Sequence, residues 1–249
     1  MVIYKGDFYS KRNKKTISSS KKILNIVYEN LGQSNISSVI DVGCGVGVWL
    51  KYCEKKGAKT IGLEGEWLPK NLYVADGKLI TSDLSKTLPN LNKKFDLCIS
   101  LEVAEHLPKS RANRFVYELT KYSNTILFSA AVPGQGGKGH INEQPLSYWI
   151  KLFKNKNYEM FDIIRPAVWD NQDIPVWYRQ NTVLFISKNY KKKIDKLITN
   201  KLPSKKGLID VIHPELFEDY RYPRLYIALV NIISLPLSVW RTIRRKLKK

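Results

Sequence analysis

Gly43, Gly45 and Gly47 alternate with Cys44 and Val46 directly after the apolar run Val39-Ile40-Asp41-Val42. Glycine takes positive φ without steric cost and lets the backbone come close to a ligand. A glycine turn that opens a helix also presents unpaired backbone N–H groups. Such a corner is suited to a nucleotide-like ligand, although G-x-G-x-G is not the G-x-G-x-x-G spacing of dinucleotide binders. Proton-transfer groups are scarcer. The chain has three histidines, His106, His140 and His213, and an imidazole titrates near neutrality, where a base is useful. His106 sits in Leu101-Glu102-Val103-Ala104-Glu105-His106-Leu107-Pro108. His140 follows the glycine-rich run 133–139 and precedes Asn142, Glu143 and Gln144. Those three side chains add hydrogen-bonding groups suited to a polyol. His213 lies in a distal segment.

The elements that must position these groups follow from periodicity. Apolar residues at helical spacing predict a helix over 20–31, stopped by Gly32. Short apolar or β-branched runs predict strands over 39–42, 60–64, 79–81, 95–101 and 125–129. Helices are predicted from the glycine turn to about 56, over 109–119 and over 146–153. Two final strands are expected over 158–164 and 181–186, with an aromatic loop holding Trp169, Trp177 and Tyr178 between them. Strands alternating with helices argue for a parallel sheet covered on both faces.

In such a sheet, ligands gather at the carboxyl ends of the strands. Asp41 and the glycines end the first strand, Glu64 the second, Asp83 and Leu84 follow the third, and Glu102 ends the fourth. A carboxylate has two acceptor oxygens, so Glu64 could accept both ribose hydroxyls of an adenosine. Asp83 could accept from an adenine amine, with Leu84 packed on the ring.

Taken together and in this order, D-V-G-C-G-V-G, G-L-E, S-D-L and F-D-L-C-I-S-L-E-V-A-E-H-L resemble the motifs of class I S-adenosylmethionine-dependent methyltransferases. The resemblance implies an α/β, seven-stranded Rossmann-like sheet with S-adenosyl-L-methionine as cofactor. It implies that Asp41, Gly43, Gly45, Gly47, Glu64, Asp83, Leu84 and Glu102 form the cofactor site. Trp67, after Gly65-Glu66, is an alternative cover for the adenine. The loop around His140, with Trp169 and Trp177, resembles that of methyltransferases encoded among glycan-biosynthesis enzymes. On this reading His140, or His106, is the base that deprotonates a sugar or glycan hydroxyl. Asn142, Glu143, Gln144, Trp169 and Trp177 contact the acceptor, and no metal is required.

A second resemblance competes. Glu102, Glu105 and His106 have i, i+3, i+4 spacing, which places them on one face if the segment is helical. With His140 they resemble the metal site of enzymes that 2′-O-methylate RNA 3′ ends. A third reading is an inactive adenosylmethionine-binding protein.

Composition bounds the partners. There are 42 Lys and Arg against 22 Asp and Glu, a net charge of +20, which suits nucleic acid, a polyanionic glycan or an anionic membrane surface. A compositional bias towards lysine explains the same figure without a partner. Cys44, Cys53 and Cys98 form no C-x-x-C pair, which fits a reducing cytoplasm. No signal-peptide pattern and no run of roughly 20 apolar residues is evident. The division expected is a catalytic domain over 1–190 and a basic, amphipathic extension over 191–249. In that extension the apolar stretch 225–240 and the Arg/Lys cluster 241–249 could lie on the inner face of a membrane.

Overall fold

The protein is described by a computed structural model, which describes residues 6–66, 73, 78–194 and 209–221. Seven strands form one mixed sheet in the order β3-β2-β1-β4-β5-β7-β6. They are β1 (Ser38–Val42), β2 (Lys59–Glu64), β3 (Leu79–Thr81), β4 (Leu97–Leu101), β5 (Thr125–Ser129), β6 (Tyr158–Phe161) and β7 (Val183–Ser187). The first five pair in parallel, and β7 runs antiparallel to both β5 and β6. This is the expected seven-stranded Rossmann-like sheet.

The central strands are mostly apolar and almost wholly buried because both faces are covered. Val39 belongs to the core layer that holds Ile23 and Leu24 of α1 (Gly6–Leu31) and Leu50 of α2 (Val48–Lys55). Its neighbour Ile40 faces the opposite layer, with Phe115 of α3 (Ala112–Tyr122) and Trp149 of α4 (Leu146–Lys154). One residue of register therefore decides which layer a side chain enters.

Two expectations change. Helix α1 begins at Gly6, well before the predicted 20, because its first turns are Lys- and Ser-rich and carry no apolar period. The aromatic loop folds into two short helices, α5 (Arg165–Val168) and α6 (Val176–Asn181). Pro166 at the start of α5 has no N–H to donate, so it costs nothing there.

Beyond β7, α7 covers Lys188–Ile194 and α8 covers Pro214–Arg221. The chain separates into two compact units, Met1–His213 and Pro214–Lys249. Segment 209–213 is fastened within the first unit. Arg165 Nη1 donates to Ile209 O at 3.1 Å, and the Ser147 amide donates to Asp210 Oδ1 at 2.9 Å. Trp67, the stretch 225–240 and the basic cluster 241–249 lie outside the described residues. Among the described residues no helix is long and apolar enough to cross a membrane.

Candidate active site

Strand order reverses between β1 and β4, which are neighbours although β2 and β3 intervene in sequence. A crevice outside the carboxyl ends of two such strands is the usual ligand position in an open α/β sheet. Both reactive stretches found in the sequence end there: the glycine turn after β1, and Glu102–His106 after β4.

The first half of the site is built from backbone. Gly43, Gly45 and Gly47 have φ of 83°, 55° and 83°, the left-handed region that other residues rarely adopt. At Gly43 a Cβ would also lie 2.4 Å from Val103 Cγ2, so the turn packs directly on the segment that follows β4. Glu64 is buried, and its carboxylate accepts the Gly45 amide at 2.7 Å and the Gly65 amide at 2.8 Å. Asp41 is buried beside it, with Oδ2 lacking any hydrogen-bond partner. Burial, and then the nearby Glu64 carboxylate, push the Asp41 carboxyl well above the ordinary range. Asp83 is exposed and accepts from the amide and hydroxyl of Ser85, which together lower its pKa. Leu84 packs on the core layer that contains Leu63 and Val103.

The second half is built from side chains. A single 3₁₀ turn, Ala104–His106, follows β4. Glu102 lies outside it with φ of 55°, so Glu102, Glu105 and His106 do not share a helical face. Gln135 and Asn181 donate to the two oxygens of Glu102 at 2.8 and 3.1 Å, tying the β5 loop and α6 to the end of β4. Burial raises the Glu102 carboxyl against those two hydrogen bonds. Glu105 is fully buried, and neither carboxylate oxygen has a hydrogen-bond partner. Burial first, and Glu102 second, drive its carboxyl well above the ordinary range; the Glu105 and Ala131 amides oppose this without reaching hydrogen-bond geometry.

His106 and His140 meet edge to face, with ring centroids 4.9 Å apart. His106 Nδ1 lies 3.1 Å from Gly139 O, and His140 Nδ1 lies 2.8 Å from Glu143 Oε1. A carbonyl and a carboxylate only accept, so each neutral ring carries its proton on Nδ1 and its lone pair on Nε2. His140 Nε2 stands 4.0 Å from Glu105 Oε1. Burial works to raise the Glu143 carboxyl, but His140 and the Gly134 and Gly136 amides outweigh it and leave it below the ordinary value. Ligand atoms of Glu105, His106 and His140 all lie within 4.8 Å of one another. The four-residue set of the alternative, metal-dependent reading thus contracts to three, with Glu102 engaged by Gln135 and Asn181.

The expected acceptor residues have internal partners. Asn142 is buried, donates to Ala104 O at 3.4 Å and accepts from Gln144 at 3.1 Å. Glu143 binds the glycine loop and His140. The Trp169 ring lies 4.5 Å from that of His213, and the Trp177 ring 6.1 Å from Tyr178. His213, read as distal, is buried and bonds Trp169 O and Arg179. Sequence reading passed over Gln135, Gly137 and Asn181. Only the run of glycines around Gln135 signalled an unusual loop, and Asn181 is 79 residues from the Glu102 it binds.

Residues 10–129 match the family model described as a methyltransferase domain. Over that stretch the chain is similar to a methyltransferase domain. The match covers the glycine turn, Glu64 and the segment after β4, whereas the loop bearing His140 lies beyond it. No curated protein matches the chain in sequence. Among solved structures, the sugar N-methyltransferase KedS8 from Streptoalloteichus sp ATCC 53650 aligns with a TM-score of 0.58 at 13% identity, covering 75% of this chain and 94% of that one. Magnesium protoporphyrin IX methyltransferase from Synechocystis PCC 6803, with bound SAH, aligns with a TM-score of 0.51 at 16% identity, covering 72% and 87%. A SAM dependent methyltransferase from Archaeoglobus fulgidus aligns with a TM-score of 0.50 at 18% identity, covering 73% and 98%. At these identities the likeness is one of fold. The sheet of this chain is thus shared with proteins whose names give different acceptors, a sugar and a magnesium porphyrin.

Proposed function

We propose that the protein transfers a methyl group from S-adenosylmethionine to a hydroxyl of a sugar or surface glycan. The glycine turn fits the cofactor: three left-handed glycines, a buried Glu64 carboxylate and the unpartnered Asp41 Oδ2 offer acceptors with little side-chain bulk. Bound there, the cofactor supplies an electrophilic methyl on sulfur. Glu64 accepts ribose hydroxyls, Asp83 accepts from the adenine amine, and Leu84 packs against the ring.

The observation that carries the acceptor half is the fixed imidazole of His140. Glu143 holds Nδ1, so in the neutral ring the lone pair is on Nε2, which packs against Gly137 and stands 4.0 Å from Glu105 Oε1. A hydroxyl is a weak nucleophile until its proton can leave, and an imidazole locked in one tautomer takes that proton as the C–O bond forms. Positioning of the two reactants contributes the rest.

The test is methyl transfer from labelled S-adenosylmethionine to a panel of sugars and glycan fragments, with His140→Ala beside the wild type. General-base catalysis is worth about 10²–10⁴-fold, so turnover should fall at least about 100-fold. Affinity for S-adenosylhomocysteine should stay within about twofold. Unchanged turnover would remove His140 from the mechanism. Absence of transfer to any hydroxyl, with cofactor bound, would leave an adenosylmethionine-binding protein.

A further inference from the structure

We propose that Glu105, His106 and His140 form a binding site for one divalent first-row transition-metal cation at the carboxyl end of β4. The site stands on ligand geometry. Its place in catalysis rests on the methyl-transfer reading.

Three independent features converge. First, the ligand atoms lie within 4.8 Å of one another. Ligands of a tetrahedral zinc ion stand roughly 3.4 Å apart, so closure requires movements of about 1 Å. Second, the Glu105 carboxylate has 0% exposure and no hydrogen bond to either oxygen. A buried carboxylate without a partner is costly; protonation relieves it, and so does a cation held against it by neighbouring ligands. His140 Nε2 at 4.0 Å is too far to give a hydrogen bond. Third, both rings are held by outer partners in the way metal-bound histidines are. Gly139 O and Glu143 Oε1 receive the Nδ1 protons, which leaves Nε2 of each ring as the donor atom.

Two imidazoles and one carboxylate select a transition metal over magnesium or calcium, which prefer all-oxygen shells. Three protein ligands also leave coordination positions open, and an acceptor hydroxyl bound there loses its proton more readily. His140 Nε2 cannot serve a cation and a proton at once. A cation held there would make a bound acceptor hydroxyl more acidic, and its proton would leave to water as the C–O bond forms and the S–CH₃ bond breaks.

Gly137 supplies a variant that removes no ligand. A Cβ at Gly137 would lie 2.3 Å from His140 Nε2, so Gly137→Ala must turn the ring away while leaving every donor atom in the chain.

The experiment uses full-length protein stripped with chelator and checked by elemental analysis. It is titrated with Zn²⁺ and with Co²⁺, whose visible absorption reports imidazole and carboxylate coordination. Mg²⁺ serves as the hard-cation control. One equivalent of Zn²⁺ should bind, Co²⁺ should develop visible bands, and Mg²⁺ should bind at least 100-fold more weakly. Glu105→Gln, which keeps the side-chain volume, and His106→Ala should each weaken Zn²⁺ binding at least 30-fold, and Gly137→Ala at least tenfold. Circular dichroism and S-adenosylhomocysteine affinity identify variants that remain folded. Stoichiometric binding that survives in folded Glu105→Gln and Gly137→Ala proteins would overturn the inference, as would no binding at millimolar Zn²⁺. Full turnover by metal-free wild type would overturn the catalytic role and keep His140 as the base. Failure of the metal-loaded protein to bind S-adenosylhomocysteine would instead sink the methyl-transfer reading.

Discussion

Two pairs of acids stand at the ends of neighbouring strands, and each pair is made the same way. Beside β1 and β2, Glu64 is satisfied by two backbone amides while Asp41 keeps an unpartnered oxygen. After β4, Glu102 is satisfied by Gln135 and Asn181 while Glu105 keeps both oxygens unpartnered. The difference lies in the company. Asp41 and Glu64 face glycines and backbone, a setting that suits a ligand rich in hydrogen-bond donors, as the proposed cofactor is. Glu105 faces two imidazoles whose Nδ1 atoms are already committed, a setting that suits the proposed cation. Equal burial of acids thus serves two chemistries, chosen by what surrounds them.

The largest break in this comparison comes from the satisfied acid of the first pair. Glu64→Gln loses the charge that receives both amides and, in the proposed complex, the ribose hydroxyls. Hydrogen bonds to a buried charged group are worth about 1.5–3 kcal/mol each, so S-adenosylhomocysteine should bind on the order of 100-fold more weakly by calorimetry. Zn²⁺ affinity at the second pair should be unchanged. A loss in both would show that the halves are one site; a loss below about threefold would take Glu64 out of cofactor binding.

Gly43→Ala attacks the seam between the halves. Left-handed backbone and a Cβ 2.4 Å from Val103 Cγ2 both oppose the substitution. Together they should cost about 2–5 kcal/mol in urea unfolding. Val103→Ala opens that contact, so the double variant should recover part of the loss. Strict additivity would mean that strain in the backbone alone forbids a side chain at this position.

How much of each half was legible beforehand follows the same division. The places of the glycine turn, Glu64 and Asp83 at strand ends could be read because β-branched strands and glycines are local signals. The strand predictions at 79–81 and 125–129 coincide with β3 and β5. The second half depends on side chains meeting across long sequence gaps. Nothing local marks Asn181 as the partner of Glu102, 79 residues earlier. The expected helical face through Glu102, Glu105 and His106 fails because one left-handed residue at Glu102 precedes a single 3₁₀ turn. Helices α5 and α6 escaped for a related reason: elements of 4 and 6 residues are too short to display a period.

Asp41→Asn separates folding from binding. The carboxyl is raised by burial and by Glu64 from an ordinary 3.8, so the folded state prefers it protonated. Below the unfolded pKa both states are protonated and the group is neutral in stability. Above it, the unfolded chain ionises more readily, and the penalty grows with pH until the folded pKa is reached. Removing the charge should therefore stabilise the ligand-free protein by about 1 kcal/mol or more at pH 7. The gain should vanish near pH 3.5. Thermal melts across that range decide the matter; a gain independent of pH would mean that Asp41 is charged and paired in the folded protein.

The smallest effect is expected at Asp83, the one acid of the cofactor half that faces water. Its carboxylate is 52% exposed and already accepts from the Ser85 amide and hydroxyl. Exposure and competing donors leave it little to add, because a hydrogen bond in water replaces an equivalent one. Asp83→Asn keeps an acceptor oxygen for the turn and changes only the charge offered to the adenine amine. S-adenosylhomocysteine affinity should fall about threefold, with stability altered by no more than about 0.5 kcal/mol. A drop approaching that of Glu64→Gln would place Asp83 at the centre of recognition rather than at its edge. The contrast between the pairs would then have to be redrawn around strand β3, because an exposed acid would be contributing as much as a buried one.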